Sequence, residues 1–159
     1  MFTGKDTIRV KALCLFVKNG RYFVSEGFDT VNNEYYYRPI GGTVEFGEHT
    51  VATLHREIHE ELSTEITHVR LMTVLENIFI CDGMQGHEID FVYTADFVDT
   101  SFYELKESYL NESNGEKVKA LWLPKNDLLS GRYRMVPEKL REFLLTHHIG
   151  EISEAVHGG

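Results

Sequence analysis

Apolar residues crowd into a stretch over residues 8–17, uninterrupted from Ala12 to Val17, and resume over residues 21–25. Between them stands Asn19-Gly20. Both residues tolerate the positive φ of a type I′ turn, so the pattern predicts a β-hairpin. Residues 29–33 read as a polar loop, and Tyr35, Tyr36, Tyr37 and Arg38 as a short aromatic strand stopped by Pro39. Residues 43–46 read as a brief extended piece, broken by Gly47. The period then changes. Val51, Leu54, Ile58 and Leu62 recur at three, four and four residues, one stripe of an amphipathic helix over residues 50–62 ended by Ser63-Thr64.

Beyond it, residues 69–81 and 88–98 read as long strands joined by a glycine-bearing loop over residues 82–86. Residues 99–116 are polar and acidic, too long for a simple turn. Another strand covers residues 117–123 and contains Trp122, the only tryptophan. Asp127 to Leu129 can form a helical turn, and Pro137 suits the first turn of a helix over residues 138–147 with Leu140, Phe143 and Leu144 on one side. No repeat or linker interrupts this outline. The expectation is one domain over residues 1–150 with a frayed tail over 151–159.

Length and composition agree with a soluble globular chain: 159 residues, 42% hydrophobic, with 3 prolines against 13 glycines. The net charge of −9 disfavours a nucleic-acid polymer or an anionic membrane as partner. Cys14 lies within the apolar run and reads as a buried thiol, and two cysteines make no disulfide framework. The N-terminus carries charge before any apolar stretch, unlike a signal peptide, and no segment approaches the roughly 20 apolar residues that span a bilayer. A reduced cytoplasm is the expected compartment.

Chemistry concentrates on the first helix. With Glu57 at zero, Glu60 falls near −60° and Glu61 near +40°, an arc of about 100° bordering the apolar stripe. Like charges so spaced repel by about 0.2–0.5 kcal/mol per pair. Such a cluster is either a solvated acidic face or a set of oxygen ligands for a hard divalent cation. Gly41-Gly42 lie just before the helix, where backbone can approach a ligand, and Arg56 can fix a neighbouring carboxylate through a bidentate hydrogen bond.

Gly42, Glu48, Arg56, Glu57, Ile58, Glu60 and Glu61 stand in the spacing of the Nudix box, which this segment resembles. The resemblance departs at the last two places, with Ser63 for glycine and Thr64 for an aliphatic residue. It implies an α/β Nudix fold, a mixed β-sheet sandwiched between α-helices. It also implies Mg²⁺- or Mn²⁺-assisted hydrolysis of a nucleoside diphosphate linked to another moiety, and it leaves room for a homodimer. In this frame Glu57 and Glu61 are metal ligands, Glu60 a further ligand or the holder of metal-bound water, and the Gly41 carbonyl completes the shell. Arg56 orients Glu57, and Glu48 braces the loop against the helix. The general base is Glu57, or a later residue such as Glu112 or Glu116. The competing reading is a Nudix-fold domain that binds a nucleotide or nucleotide-sugar without turnover.

Other residues carry weaker signals. His55 and His59 are spaced to share a metal but project away from the glutamate arc. His87 and Glu88 can reach a ligand from a strand start. Of the tyrosines, Tyr37 is the candidate to meet substrate, and Arg38 the candidate for a substrate phosphate. Which nucleotide is bound would be set by residues 29–33, 82–86 and 99–116.

Overall fold

The computed structural model describes residues 6–112 and 114–147. The tail expected over 151–159 lies outside them. Among the described residues eight strands form one mixed sheet whose two halves are joined through β1 (Ile8–Lys18). The first half of β1 runs parallel to β6 (Met84–Phe97) and antiparallel to β4 (Ile40–Thr43), and β6 pairs in turn with β5 (Ile66–Cys81). Its last residues turn back into β2 (Arg21–Asp29), which pairs with β3 (Glu34–Arg38) and β8 (Lys117–Pro124); β7 (Glu107–Asn111) lies beyond β8. Asn19 and Gly20 take φ of 51° and 70°, as the hairpin requires.

Alternation along β1 divides the core. Ala12, Cys14 and Phe16 face one side, where α1 (Thr50–Leu62) lays down Leu54, Ile58 and Leu62. Leu15 faces the other, where it meets Leu128 of α2 (Lys125–Leu129) and Leu140 and Leu144 of α3 (Glu138–Thr146). Each such buried aliphatic side chain contributes about 1.5–3 kcal/mol. The sheet is thereby sandwiched between helices, as expected. No helix among the described residues is long and apolar enough to cross a membrane.

Several boundaries differ from the sequence reading. The extended piece before α1 is Ile40–Thr43, because residues 40–43 pair with β1 and the ladder ends with the Val44 amide donating to the Val10 carbonyl at 2.8 Å. The hairpin between β5 and β6 needs only Asp82-Gly83, both at positive φ, so Met84, Gln85 and Gly86 continue the strand. Residues 99–116 are not all loop. They contain a short 3₁₀ turn (Thr100–Tyr103) and β7, anchored by Trp122 Nε1 donating to the Phe102 carbonyl at 2.9 Å. Val51 is 41% exposed, and the inward place in the first turn of α1 goes to Thr53.

Ser63 closes α1 at φ 53°, with its amide donating to the His59 carbonyl. A serine pays a steric cost there that glycine avoids. Ser63→Gly is therefore expected to stabilise the fold by about 0.5–1 kcal/mol, and Ser63→Val to destabilise it. Thermal unfolding of the three proteins reads this order, and a less stable glycine variant would contradict it.

Candidate active site

A tight turn delivers the chain from β4 into α1. Gly47 takes φ 84°, the Glu48 amide donates to the Glu45 carbonyl, and the Glu45 amide donates to the Glu48 carboxylate. Glu48 is thus placed beneath the helix, where Arg56 reaches it with two bonds, Nε at 2.8 Å and Nη2 at 3.0 Å. Thr53 donates its hydroxyl to the same carboxylate. Arg56, then Thr53, hold Glu48 down to about 2, and Glu48 in turn raises the guanidinium further above its already high value.

The remaining Arg56 nitrogen spans the glutamate arc, donating to Glu57 Oε1 at 3.0 Å and Glu60 Oε2 at 3.4 Å. Nη2 also reaches the Thr43 carbonyl at 3.3 Å, tying the clamp to β4. The two glycines are explained by close approach. A Cβ on Gly41 would fall 2.0 Å from the Ala12 carbonyl oxygen of β1, and one on Gly42 would fall 2.2 Å from the carboxyl carbon of Glu57. Gly41 lets the strands pair, and Gly42 opens the notch that seats Glu57.

Glu61 is only 5% exposed. Burial, then the charges of Glu112 and Glu57, push its carboxyl up to about 9, while Arg38 pulls the other way. Among the described residues no three His, Cys, Asp or Glu side chains already converge on one ion position. The donors nonetheless fit a hard divalent cation: they are all oxygens, and a buried carboxyl beside two like charges is stable as an anion only with added positive charge. Glu60 stands at the margin, with a side chain 55% exposed. Glu112 comes close to Glu61 from the end of β7, whereas Glu116 is exposed and contributes its main-chain carbonyl to the Glu112 amide.

On the other face of β1 from this arc lies a cavity of about 300 Å³ lined by residues of β1, β2, β3, β5 and β6 and the start of α3. Arg38 and Tyr36 line it. Tyr37 does not. Its ring is buried against Tyr133 and its hydroxyl donates to Glu26, because alternate residues of β3 face opposite sides. Glu88 lines the cavity, while His87 sits 3.7 Å from Glu76. His59 bonds Glu65, away from the glutamate arc.

Two cavity-side residues escaped the sequence reading, Lys11 and Asp90, which stand opposite each other across the β1–β6 pair. The signal was there in retrospect: each is a charge inside an apolar strand, Val10-Lys11-Ala12 and Ile89-Asp90-Phe91. Asp90 is fully buried and neither carboxylate oxygen has a hydrogen-bond partner. Burial, then the charge of Glu88, push it up to about 8.

Comparison with known proteins agrees with this architecture. A family model described as the NUDIX domain matches residues 7–145. A search of curated proteins finds no match. Among solved structures, a NUDIX hydrolase from Nitrosomonas europaea superposes with a TM-score of 0.62 at 14% identity, covering 91% of this chain and 90% of that one. A MutT NUDIX hydrolase from Burkholderia pseudomallei gives 0.55 at 21% identity, covering 77% and 88%. A MutT protein from Bacillus halodurans gives 0.56 at 17%, covering 87% and 83%. At these identities the likeness is one of fold.

The Asp90 shift has a consequence for stability. A carboxyl whose folded value lies above its unfolded one contributes fully below about pH 4 and loses that contribution as pH rises towards about 8. Asp90→Asn cannot ionise. The melting temperature of the native protein should therefore fall relative to Asp90→Asn between pH 5 and pH 9, and a constant difference across that range would contradict the shift.

Proposed function

This chain belongs to the NUDIX family, and on that premise we propose that it is a pyrophosphohydrolase cleaving a nucleoside diphosphate linked to another moiety, with Mg²⁺ or Mn²⁺ as cofactor. The observation that carries the reading is the pair Glu57 and Glu61, one turn apart on α1, with Glu57 seated in the Gly42 notch and held by Arg56. A binding domain without turnover has no need to hold repelling carboxylates at such close quarters.

Glu57 and Glu61 would hold the ion, with Glu60 and the Gly41 carbonyl as further oxygen donors. A bound divalent cation would neutralise the diphosphate and acidify water. In the reaction a water oxygen forms a bond to one phosphorus while the bond from that phosphorus to the bridging oxygen breaks. The water proton passes to a carboxylate, and the leaving phosphate departs with the bridging oxygen. Glu57 is the first choice for that acceptor on the helix, and Glu112, just past β7 and close enough for its charge to act on Glu61, is the choice outside it. Glu48 and Arg56 touch no reacting atom in this scheme. They hold α1 and the preceding turn in one geometry, so that the carboxylates need no rearrangement. Arg38 lies between the arc and the cavity and is placed to meet a phosphate oxygen.

Release of nucleotide and phosphate with Mg²⁺ across nucleoside triphosphates, ADP-ribose and dinucleoside polyphosphates tests the activity. Glu57→Gln and Glu61→Gln should each lower kcat by at least about 100-fold. Tight binding of these nucleotides with no product would overturn the hydrolase reading, and full activity in both variants would overturn the site.

The glycine pair separates fold from function. In Gly42→Ala the new methyl meets the far end of a flexible side chain, so the protein should fold near its normal melting temperature with Glu57 displaced and activity reduced about 10-fold or more. In Gly41→Ala the methyl meets strand backbone, and stability itself should fall by about 1–3 kcal/mol. Equal melting temperatures for the two variants would contradict this division.

A further inference from the structure

The cavity on the face of β1 away from α1 has largely apolar walls from the β5 strand, such as Ile78 and Phe79, yet Lys11 and Arg38 also line it. Of the other charged groups lining it, Arg134 pairs with Glu34, Glu138 with Arg141, and Asp29 accepts from the amides of Val31 and Asn32, while Glu88 is the carboxylate whose charge acts on Lys11 most strongly. Among the described residues the side chains of Lys11 and Arg38 enter no hydrogen bond or ion pair, and they feel Glu88 and Glu61 only at longer range.

Lys11 occupies the face of β1 turned away from α1, since its neighbour Ala12 packs into the α1 side of the core. It is therefore not directed at the diphosphate bridge that the glutamates would address. Behind it, across the strand pair, stands Asp90, fully buried and with both oxygens unbonded. A carboxyl so placed costs stability, and it lies between Glu88 and the Lys11 ammonium, which it can help to orient through a carbonyl oxygen even when protonated. A neutral ligand filling this space would strip water from two cations and give nothing back, whereas an anionic group would pair with both in a low-dielectric setting.

We propose that Lys11 and Arg38 form an anion-selective wall in this cavity, with Asp90 as the positioning residue for Lys11, so that the preferred substrate carries a further anionic substituent, carboxylate or phosphate, beyond its diphosphate bridge. This rests on the hydrolase reading above, and its test is built to be separable from it. Two matched pairs distinguish the source of the charge: UDP-glucuronate against UDP-glucose for a sugar carboxylate, and NADP⁺ against NAD⁺ for a ribose phosphate.

With Mg²⁺ present, the charged member of at least one pair should be favoured by at least about 10-fold in kcat/KM. Lys11→Met should bring that ratio to within about threefold of unity, and Lys11→Arg should keep it. Arg38→Gln serves as the second variant if Lys11→Met folds poorly. Asp90→Asn should raise KM for the charged member while leaving kcat in place, a split that a merely structural role would not give. The same ratios are read as Kd by calorimetry. Failure to turn over any compound would overturn the hydrolase reading, while the affinity ratio still decides this one. Equal affinity and rate within both pairs, or a preference that survives both Lys11→Met and Arg38→Gln, would overturn the proposal.

Discussion

One guanidinium holds the candidate site together. Arg56 binds Glu48 with two nitrogens, reaches Glu57 and Glu60 with the third, and touches the Thr43 carbonyl. Without it, the carboxylates of the turn and the helix would face one another across a few ångströms with only repulsion between them. The like-charge cost along α1 is about 0.2–0.5 kcal/mol per pair, whereas a charge-assisted bidentate bond is among the stronger polar contacts available to a protein. The clamp therefore dominates locally. It also sets direction, because a planar fork fixes the orientation of what it binds in a way a lysine would not. Leu54, Ile58 and Leu62 fix where α1 lies, and Arg56 fixes what its outer edge presents.

The second constraint is the parity of β1. Ala12, Cys14 and Phe16 belong to the α1 side, and Lys11, Leu13 and Leu15 to the α3 side. The glutamate arc and the cavity are thus on opposite faces of one strand, separated by the thickness of a sheet. Arg38 bridges them. It ends β3 just before Pro39 and β4, and its charge is felt both by Glu61 on the arc and by Asp90 and Lys11 beside the cavity. A substrate with its diphosphate at the arc and its other group in the cavity would pass this residue, which gives a short strand end an influence on both halves of recognition.

Much of this was legible in the sequence where the cause is local. The Asn19-Gly20 hairpin, the bounds of α1 and the spacing from Gly42 to Glu61 follow from turn chemistry and helical period, which act over a few residues. What was not legible depends on partners far along the chain. Residues 40–43 are a strand because β1 accepts them, β7 is a strand because β8 does, and Tyr36 faces the cavity instead of Tyr37 because pairing with β2 sets the parity. The Lys11–Asp90 neighbourhood is the sharpest case. Each residue alone reads as a polar interruption of a strand, and only the parallel register of β1 on β6 sets them side by side.

That neighbourhood also changes what the overall acidity means. A net charge of −9 predicts repulsion of anions at long range, but a bound ligand meets individual groups. Most cations near the site are already committed: Arg56 to Glu48, Arg134 to Glu34, Arg141 to Glu138. Lys11 and Arg38 are not, and both line the same cavity. Screening by salt weakens the long-range term over about 8–10 Å, while a desolvated contact inside the cavity is screened far less. The surface charge therefore governs how fast an anionic substrate arrives, and these two side chains govern which one is kept.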